Sequence, residues 1–195
     1  MDEAQAIRSA QKGNLAAFNR LVMAYQGIAY NVAYRIVGDA DAAADACQEA
    51  FLSAFKNIAG FRGGSFKSWI LRIVTNACYD QLRYRGRRPA NSLEEVVEDP
   101  DYSPQLVNGQ ERPEEYTLRR ELSDVIQLGI KTLPADQRAT LVLSDVQGFS
   151  YQEIADITGV SLGTVKSRLS RARARLRDYL MTQQELLPPQ YRLVG

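Results

Sequence analysis

The sequence predicts an all-α chain: two small helical domains joined by a flexible acidic linker, the second domain containing a helix-turn-helix. Three observations carry that expectation. Apolar residues recur at three- and four-residue spacing through most of the 195 residues. Charge falls in blocks, with net +7 over residues 56–88, −7 over 89–117 and +5 over 161–180, inside a total of only +1. The stretch Gly148–Leu180 reads as two short helices around a tight turn, the second heavily basic.

In chain order, residues 3–36 read as helix, broken at Gly13-Asn14 and carrying Ile7, Leu15, Phe18, Leu21, Tyr25, Ile28 and Val32. Gly38-Asp39 ends that segment, and Asp41 opens an alanine-rich helix to about Ile58. Its apolar side runs through Ala43, Ala46, Cys47, Ala50, Phe51, Ala54 and Phe55, so Cys47 is a small core residue. Gln48 and Glu49 lie beside that stripe, and alone they read as solvated surface. A loop, GFRGGS from Gly60 to Ser65, leads into a helix from Phe66 to about Arg85 with Ile70, Ile73, Val74 and Ala77 inward. Trp69, Arg72, Asn76, Tyr79 and Arg83 share another face of it. Aromatics, an amide and guanidiniums on one stripe suit melted nucleic acid, through stacking, base-edge hydrogen bonds and phosphate contacts. Completing the core is the alternative for Trp69 and Tyr79, and for those two alone it is favoured.

Arg85-Gly86-Arg87-Arg88-Pro89 closes the first domain, residues 1–89. Residues 90–113 hold Pro100, Pro104 and Pro113 and most of the acidic charge, the composition of a linker. The second domain, 114–183, opens with a helix through Leu118, Leu122, Val125, Ile126, Gly129 and Ile130. It stops at Leu133-Pro134 and continues in a helix from Asp136 to about Val146. In the helix-turn-helix, Ser150 and Glu153 form a capping box, Gly159 takes the turn and Ser161 caps the basic helix. Val165, Leu169, Ala172 and Leu176 form its apolar stripe, with Lys166, Ser167, Ser170 and Arg171 opposite. Residues 184–195 show no periodicity and read as a mobile tail.

Composition narrows the classes of function. The chain has no histidine, which removes the commonest general base and metal ligand. Its carboxylates gather in the Pro-containing linker, a poor place to hold a metal, so no catalytic residue, metal or cofactor is expected. Two cysteines do not make a disulfide framework. No run approaches a membrane span and no signal-peptide core precedes the first helix, so a cytoplasmic protein is expected. A two-component or quorum-type regulator would need an α/β domain that residues 1–88 do not show. A local field of one sign governs association with a polyanion, whatever the total charge.

Four motifs in order, QKGNLAAFNRLV, DAAADACQEAFLSAFKNI, FRGGSFKSWILRIVTNACYDQLR and LPADQRATLVLSDVQGFSYQEIADITGVSLGTVKSRLSRAR, make the chain resemble bacterial RNA polymerase sigma factors of the extracytoplasmic-function group of the sigma-70 family. The resemblance spans about residues 11–180. It implies that the first domain is sigma region 2, docking on the clamp helices of the largest polymerase subunit through Asp45, Gln48 and Glu49. Asn76 then matches the position that recognises a flipped base of the −10 element, bordered by Phe61, Arg62, Trp69, Arg72, Tyr79 and Arg83. Arg85, Arg87 and Arg88 join Arg83 in holding phosphates. The second domain is implied to be region 4, reading −35 duplex through Thr164, Lys166, Ser167, Arg168, Ser170 and Arg171 and meeting the flap of the second-largest subunit. The linker is implied to thread the polymerase cleft, and next to two basic domains it is expected to mask them in the free protein. An anti-sigma factor is a further implied partner. The alternative is a helix-turn-helix regulator that acts without polymerase core.

Overall fold

Polar caps and glycine stops divide the chain into helices, and no other regular structure occurs among the described residues. The computed structural model describes residues 2–87 and 113–183, and side chains for 2–86 and 120–183. The acidic stretch 90–112, Arg88 and the tail 184–195 lie outside the described residues, as do the side chains of Arg87 and Leu118.

Helix α1 (Glu3–Gln11) is capped by Asp2, whose carboxylate accepts the Gln5 N–H. Helix α2 (Leu15–Val37) is capped by Asn14 and ends on Gly38 at φ 78°, a left-handed stop that costs glycine nothing. Helix α3 (Ala40–Asn57) begins on Asp39 rather than Asp41. Asp39 is extended and its side chain accepts the Ala42 N–H at 2.8 Å, while Asp41 sits inside the first turn, where its charge suits the macrodipole. A 3-10 turn, Ile58–Gly60, leads to the loop before α4 (Phe66–Arg87), whose first turn is capped by Ser65 accepting the Ser68 N–H at 3.1 Å.

α2, α3 and α4 pack against one another around alanines: Ala29, Ala33, Ala43, Ala46, Ala50 and Ala54 are all fully buried. Small side chains let the helix backbones approach, and Leu21, Ile36, Phe66, Ile70 and Leu71 fill the remaining volume. Cys47 and Cys78 are buried free thiols in this core, and burial pushes the Cys47 thiol up to about 12.

The second unit comprises α5 (Pro113–Lys131), α6 (Ala135–Leu141), α7 (Tyr151–Thr158) and α8 (Leu162–Thr182). The single helix expected over Asp136–Val146 changes character halfway, becoming a π-helical turn at Val142–Val146. There the Gln147 N–H reaches back five residues to the Val142 carbonyl, at 3.0 Å. Such one-residue insertions re-aim the side chains that follow. α5 and α8 meet closely at Gly129, where a Cβ would lie 2.6 Å from Leu176 Cδ1.

The two units dock on each other, with α2 and α4 against α5, α6 and α7. The guanidinium of Arg138 is the centre of the joint. It donates to Ile36 O at 2.5 Å in the first unit, and to Lys131 O at 2.5 Å and Leu133 O at 3.0 Å in its own. One cation thereby serves carbonyls at the C-terminal ends of α2 and α5, where the helix dipoles are negative. Gln127 Nε2 donates to Arg35 O at 3.3 Å, and Gln147 Nε2 donates to Asn31 Oδ1 at 2.9 Å.

Candidate nucleic-acid interface

The first candidate face lies on α4. Of the stripe expected there, Arg72, Asn76 and Arg83 are exposed, while Trp69 and Tyr79 are half-buried. The Trp69 ring packs on Phe61 at 5.3 Å and on Phe66 at 5.4 Å, centroid to centroid, so the core reading favoured for it holds in part. Phe61 is 8% exposed and closes edge-on against Phe66. Its ring therefore anchors the loop from below, with Gln11 Nε2 donating to its carbonyl at 2.7 Å, and leaves Arg62 exposed at the loop tip. Burial pushes the Tyr79 hydroxyl up to about 12, with Arg168 and Asp136 of the second unit acting in opposite directions on it.

Part of this face is covered. Arg72 Nη1 donates to Asp156 O of α7 at 3.4 Å, and the Lys67 ammonium sits 4.5 Å from the centroid of the Phe149 ring. Arg83 pairs with Asp80, and Arg85 pairs with the cap residue Asp39 at 2.8 Å.

The second candidate face lies on α8. A capping box between Ser150 and Glu153 starts α7, and Gly159 at φ 69° ends it. Ser161 then caps α8 by accepting the Thr164 N–H at 3.2 Å, and the hydroxyls of Ser161 and Thr164 share a hydrogen bond, leaving Thr164 half-buried. Val165, Leu169 and Ala172 are buried. Lys166, Ser167, Ser170 and Arg171 are all exposed on the other side.

The basic charge of α8 is less available than its sequence suggests. Arg168 is tied to Asp136 at 2.9 Å, Arg173 makes a bidentate pair with Asp145 at 2.9 and 2.7 Å, and Arg177 pairs with Asp178 at 3.1 Å. Arg173 holds the Asp145 carboxyl below its usual range despite partial burial. Among the described residues, Lys166, Arg171 and Arg175 have no carboxylate partner. An open groove of about 560 Å³ runs between α7 and α8, lined by Tyr151, Lys166, Ser170, Arg173 and Arg177.

A third feature sits on α3. Asp45, Gln48 and Glu49 are exposed on one helical stripe, and Leu52 continues it at 55% exposure. The sequence reading did not single out Leu52. Its signal was present: a leucine four residues after Gln48, off the buried alanine stripe. Asn31, Gln127, Arg138 and Gln147 were also unmarked, and Lys67 was read only as part of the basic block over residues 56–88. Among the described residues no group of His, Cys, Asp or Glu could hold a metal, and no helix is long and apolar enough to cross a membrane.

Comparison with known proteins gives these faces a context. Residues 21–88 match Sigma-70 region 2 and residues 123–176 match Sigma-70, region 4. The chain is 37% identical over 172 residues to the RNA polymerase sigma-H factor of Pseudomonas aeruginosa, covering 87% of this chain and 89% of that protein. It is also 37% identical to the ECF RNA polymerase sigma-E factor of Escherichia coli strain K12, over 86% of this chain and 88% of that one. Among solved structures, the sigma factor RpoE in complex with the anti-sigma factor NepR from Bartonella quintana aligns with TM-score 0.63 and 27% identity, covering 84% of this chain and 96% of its own. CnrH in complex with the cytosolic domain of CnrY aligns with TM-score 0.63 and 28% identity, over 90% and 94%. With two family segments placed on the two docked units, and relatives matched along nearly their whole length, the chain belongs to the sigma-70 family as an ECF RNA polymerase sigma factor.

Proposed function

We propose that this sigma factor binds RNA polymerase core and directs promoter-specific initiation by reading −35 duplex with α8 and melting the −10 element on α4. The observation that carries the reading is the exposed set Lys166, Ser167, Ser170 and Arg171, aligned on one side of a capped helix whose other side is packed. A helix enters the major groove with its N-terminal residues on base edges, and Lys or Arg to guanine is the commonest specific pairing there. Thr164 and Arg168 flank that set, nearer the packed side.

On α4, Asn76 is the residue suited to a flipped base, with Trp69 supporting the pocket wall and Arg62, Arg72 and Arg83 supplying phosphate contacts. Tyr79 offers a stacking ring once uncovered. Phe61 acts from beneath, by holding the loop. The stripe Asp45, Gln48, Glu49 and Leu52 is the proposed docking surface for the clamp helices of the largest subunit, an exposed apolar residue ringed by polar ones. The second unit is proposed to meet the flap of the second-largest subunit. Related sigma factors were solved with anti-sigma partners, which supports an anti-sigma factor for this chain as well.

Run-off transcription on a genomic promoter library with core polymerase tests the reading. Promoter-dependent products that need both core and this chain are expected. DNA binding without any such product would leave the helix-turn-helix regulator as the correct description.

A further inference from the structure

The loop between α3 and α4, which the proposed function places beside −10 DNA, is held differently at its two ends. Its far end belongs to α4: Ser65 caps that helix through the Ser68 N–H, and the Ser65 carbonyl accepts the Trp69 N–H at 3.1 Å. Between the ends, Gly63 and Gly64 take φ of 96° and 87°. Among the described residues a Cβ built on either would touch nothing within 4 Å. Such a glycine pair sets no position of its own, so the tip follows its anchors.

The near end is fixed from another helix. Gln11, the last residue of α1, donates through Nε2 to Ile58 O at 3.3 Å and to Phe61 O at 2.7 Å. Ile58 O also accepts the Phe61 N–H at 3.0 Å, so the amide braces the turn that hands the chain to Arg62. The partners dictate the side chain. Both are carbonyl oxygens, and a neutral –NH2 offers them two donors. A carboxylate here would set oxygen against oxygen.

α1 is itself tied down. Ala6, Ile7 and Ala10 are buried, and the Tyr25 hydroxyl donates to the Glu3 carboxylate at the other end of the helix. The Gly13 and Asn14 N–H groups bond back to Ala10 O and Ser9 O, closing the backbone around Gln11. The Tyr25 ring meets Phe66 at 5.3 Å, and Phe66 meets both Phe61 and Trp69. Trp69 and Asn76 lie two helical turns apart on one face of α4. Packed groups therefore connect the brace to the helix face assigned to the flipped base.

We infer that Gln11 is a positioning residue for −10 recognition: by holding the Ile58 and Phe61 carbonyls it fixes the loop 61–65 against α4, and so makes α1 part of base selection. Gln11 itself touches no DNA and acts through Phe61 and Arg62. The inference rests on the assignment of α4 to −10 DNA.

The test takes a promoter recovered by run-off selection and builds two libraries, one randomised over the −10 element and one over the −35 element. Each is transcribed by core polymerase with the full chain, and the products are sequenced. Gln11→Met keeps the length and apolar stem of the side chain and removes the donor. It is expected to lower enrichment of the preferred base at the flipped position by about three- to tenfold, the factor that one neutral hydrogen bond controls. Enrichment in the −35 library and affinity for core should stay native. In the free chain, exchange of the Phe61 amide should quicken about tenfold while the amides of α2 and α3 keep their rates. Gln11→Asn, whose amide stops one methylene short, is expected to give the same split and carries the test if the methionine chain does not fold. Native −10 enrichment in these variants overturns the inference. So does an equal fall in both libraries, which would mark a general fault in folding. A native chain that shows no base preference in the −10 library would instead overturn the assignment of α4.

Discussion

Replacing Arg138 by methionine keeps most of the aliphatic volume and deletes a guanidinium that is only 9% exposed. Three carbonyls then lose a charged donor: Ile36, Lys131 and Leu133. A hydrogen bond from a charged group contributes about 1.5–3 kcal/mol, and the three are not additive. Ile36 O can find water when the units separate, so its loss weakens the joint rather than either fold. Leu133 O, where α5 turns toward α6, is buried within the second unit and lacks that relief, while Lys131 O is only part-buried. The expected cost to the second unit is therefore about 2–4 kcal/mol. With a urea slope of about 2 kcal/mol per molar, its midpoint should fall by about 1–2 M. The assay is paired: far-UV circular dichroism follows both units, while Trp69, the one tryptophan, follows the first. The early dichroism phase should move and the Trp69 transition should move much less. If both shift in step, or neither shifts by about 0.5 M, the clamp at the end of α5 is not what Arg138 provides.

Other expectations concern the two faces and the acid response. Asn76→Ala should impair promoter opening, read by permanganate footprinting, and leave affinity for core polymerase unchanged; lost core affinity would displace Asn76 from the −10 face. Lys166→Ala and Arg171→Ala should each weaken binding to a cognate −35 duplex by about 1–3 kcal/mol and spare a scrambled one. Equal losses on both duplexes would make them phosphate contacts. Asp145 is held below its ordinary pKa by Arg173, so its contribution is present above the unfolded value of 3.8 and is lost as pH falls through the lower folded value. Asp145→Asn should therefore cost the second unit up to about 1 kcal/mol at pH 7, given the exposure of the pair, and flatten the acid limb of its stability profile.

Much of the local structure was legible because local physics sets it. The break at Gly13-Asn14, the Ser150 and Ser161 caps and the Gly38 and Gly159 stops are decided within a few residues, and each stands where the sequence pattern put it. The exposed face of α8 followed from its apolar stripe for the same reason. The start of α3 did not, because two aspartates compete at adjacent turn positions and only backbone conformation chooses Asp39. The π-helical turn was hidden inside an unbroken apolar pattern. The docking of the units left no periodic trace at all, since a side chain donating to a backbone carbonyl 102 residues away can be any suitably placed donor. Burial of Phe61 was equally out of reach: a loop aromatic beside an arginine reads as a contact residue until its neighbours Phe66 and Trp69 are placed around it.

The three carboxylates that hold Arg168, Arg173 and Arg177 also set how the second unit responds to ionic strength. Each phosphate neutralised on duplex DNA releases condensed counterions and contributes about −0.9 to the slope of log affinity against log salt. An arginine already facing aspartate releases few, because it exchanges one anion for another. Six basic side chains would imply a slope near −5, whereas Lys166, Arg171 and Arg175 alone imply roughly −3. Fewer counterions to release means weaker capture of arbitrary duplex and a larger share of any duplex affinity resting on base edges.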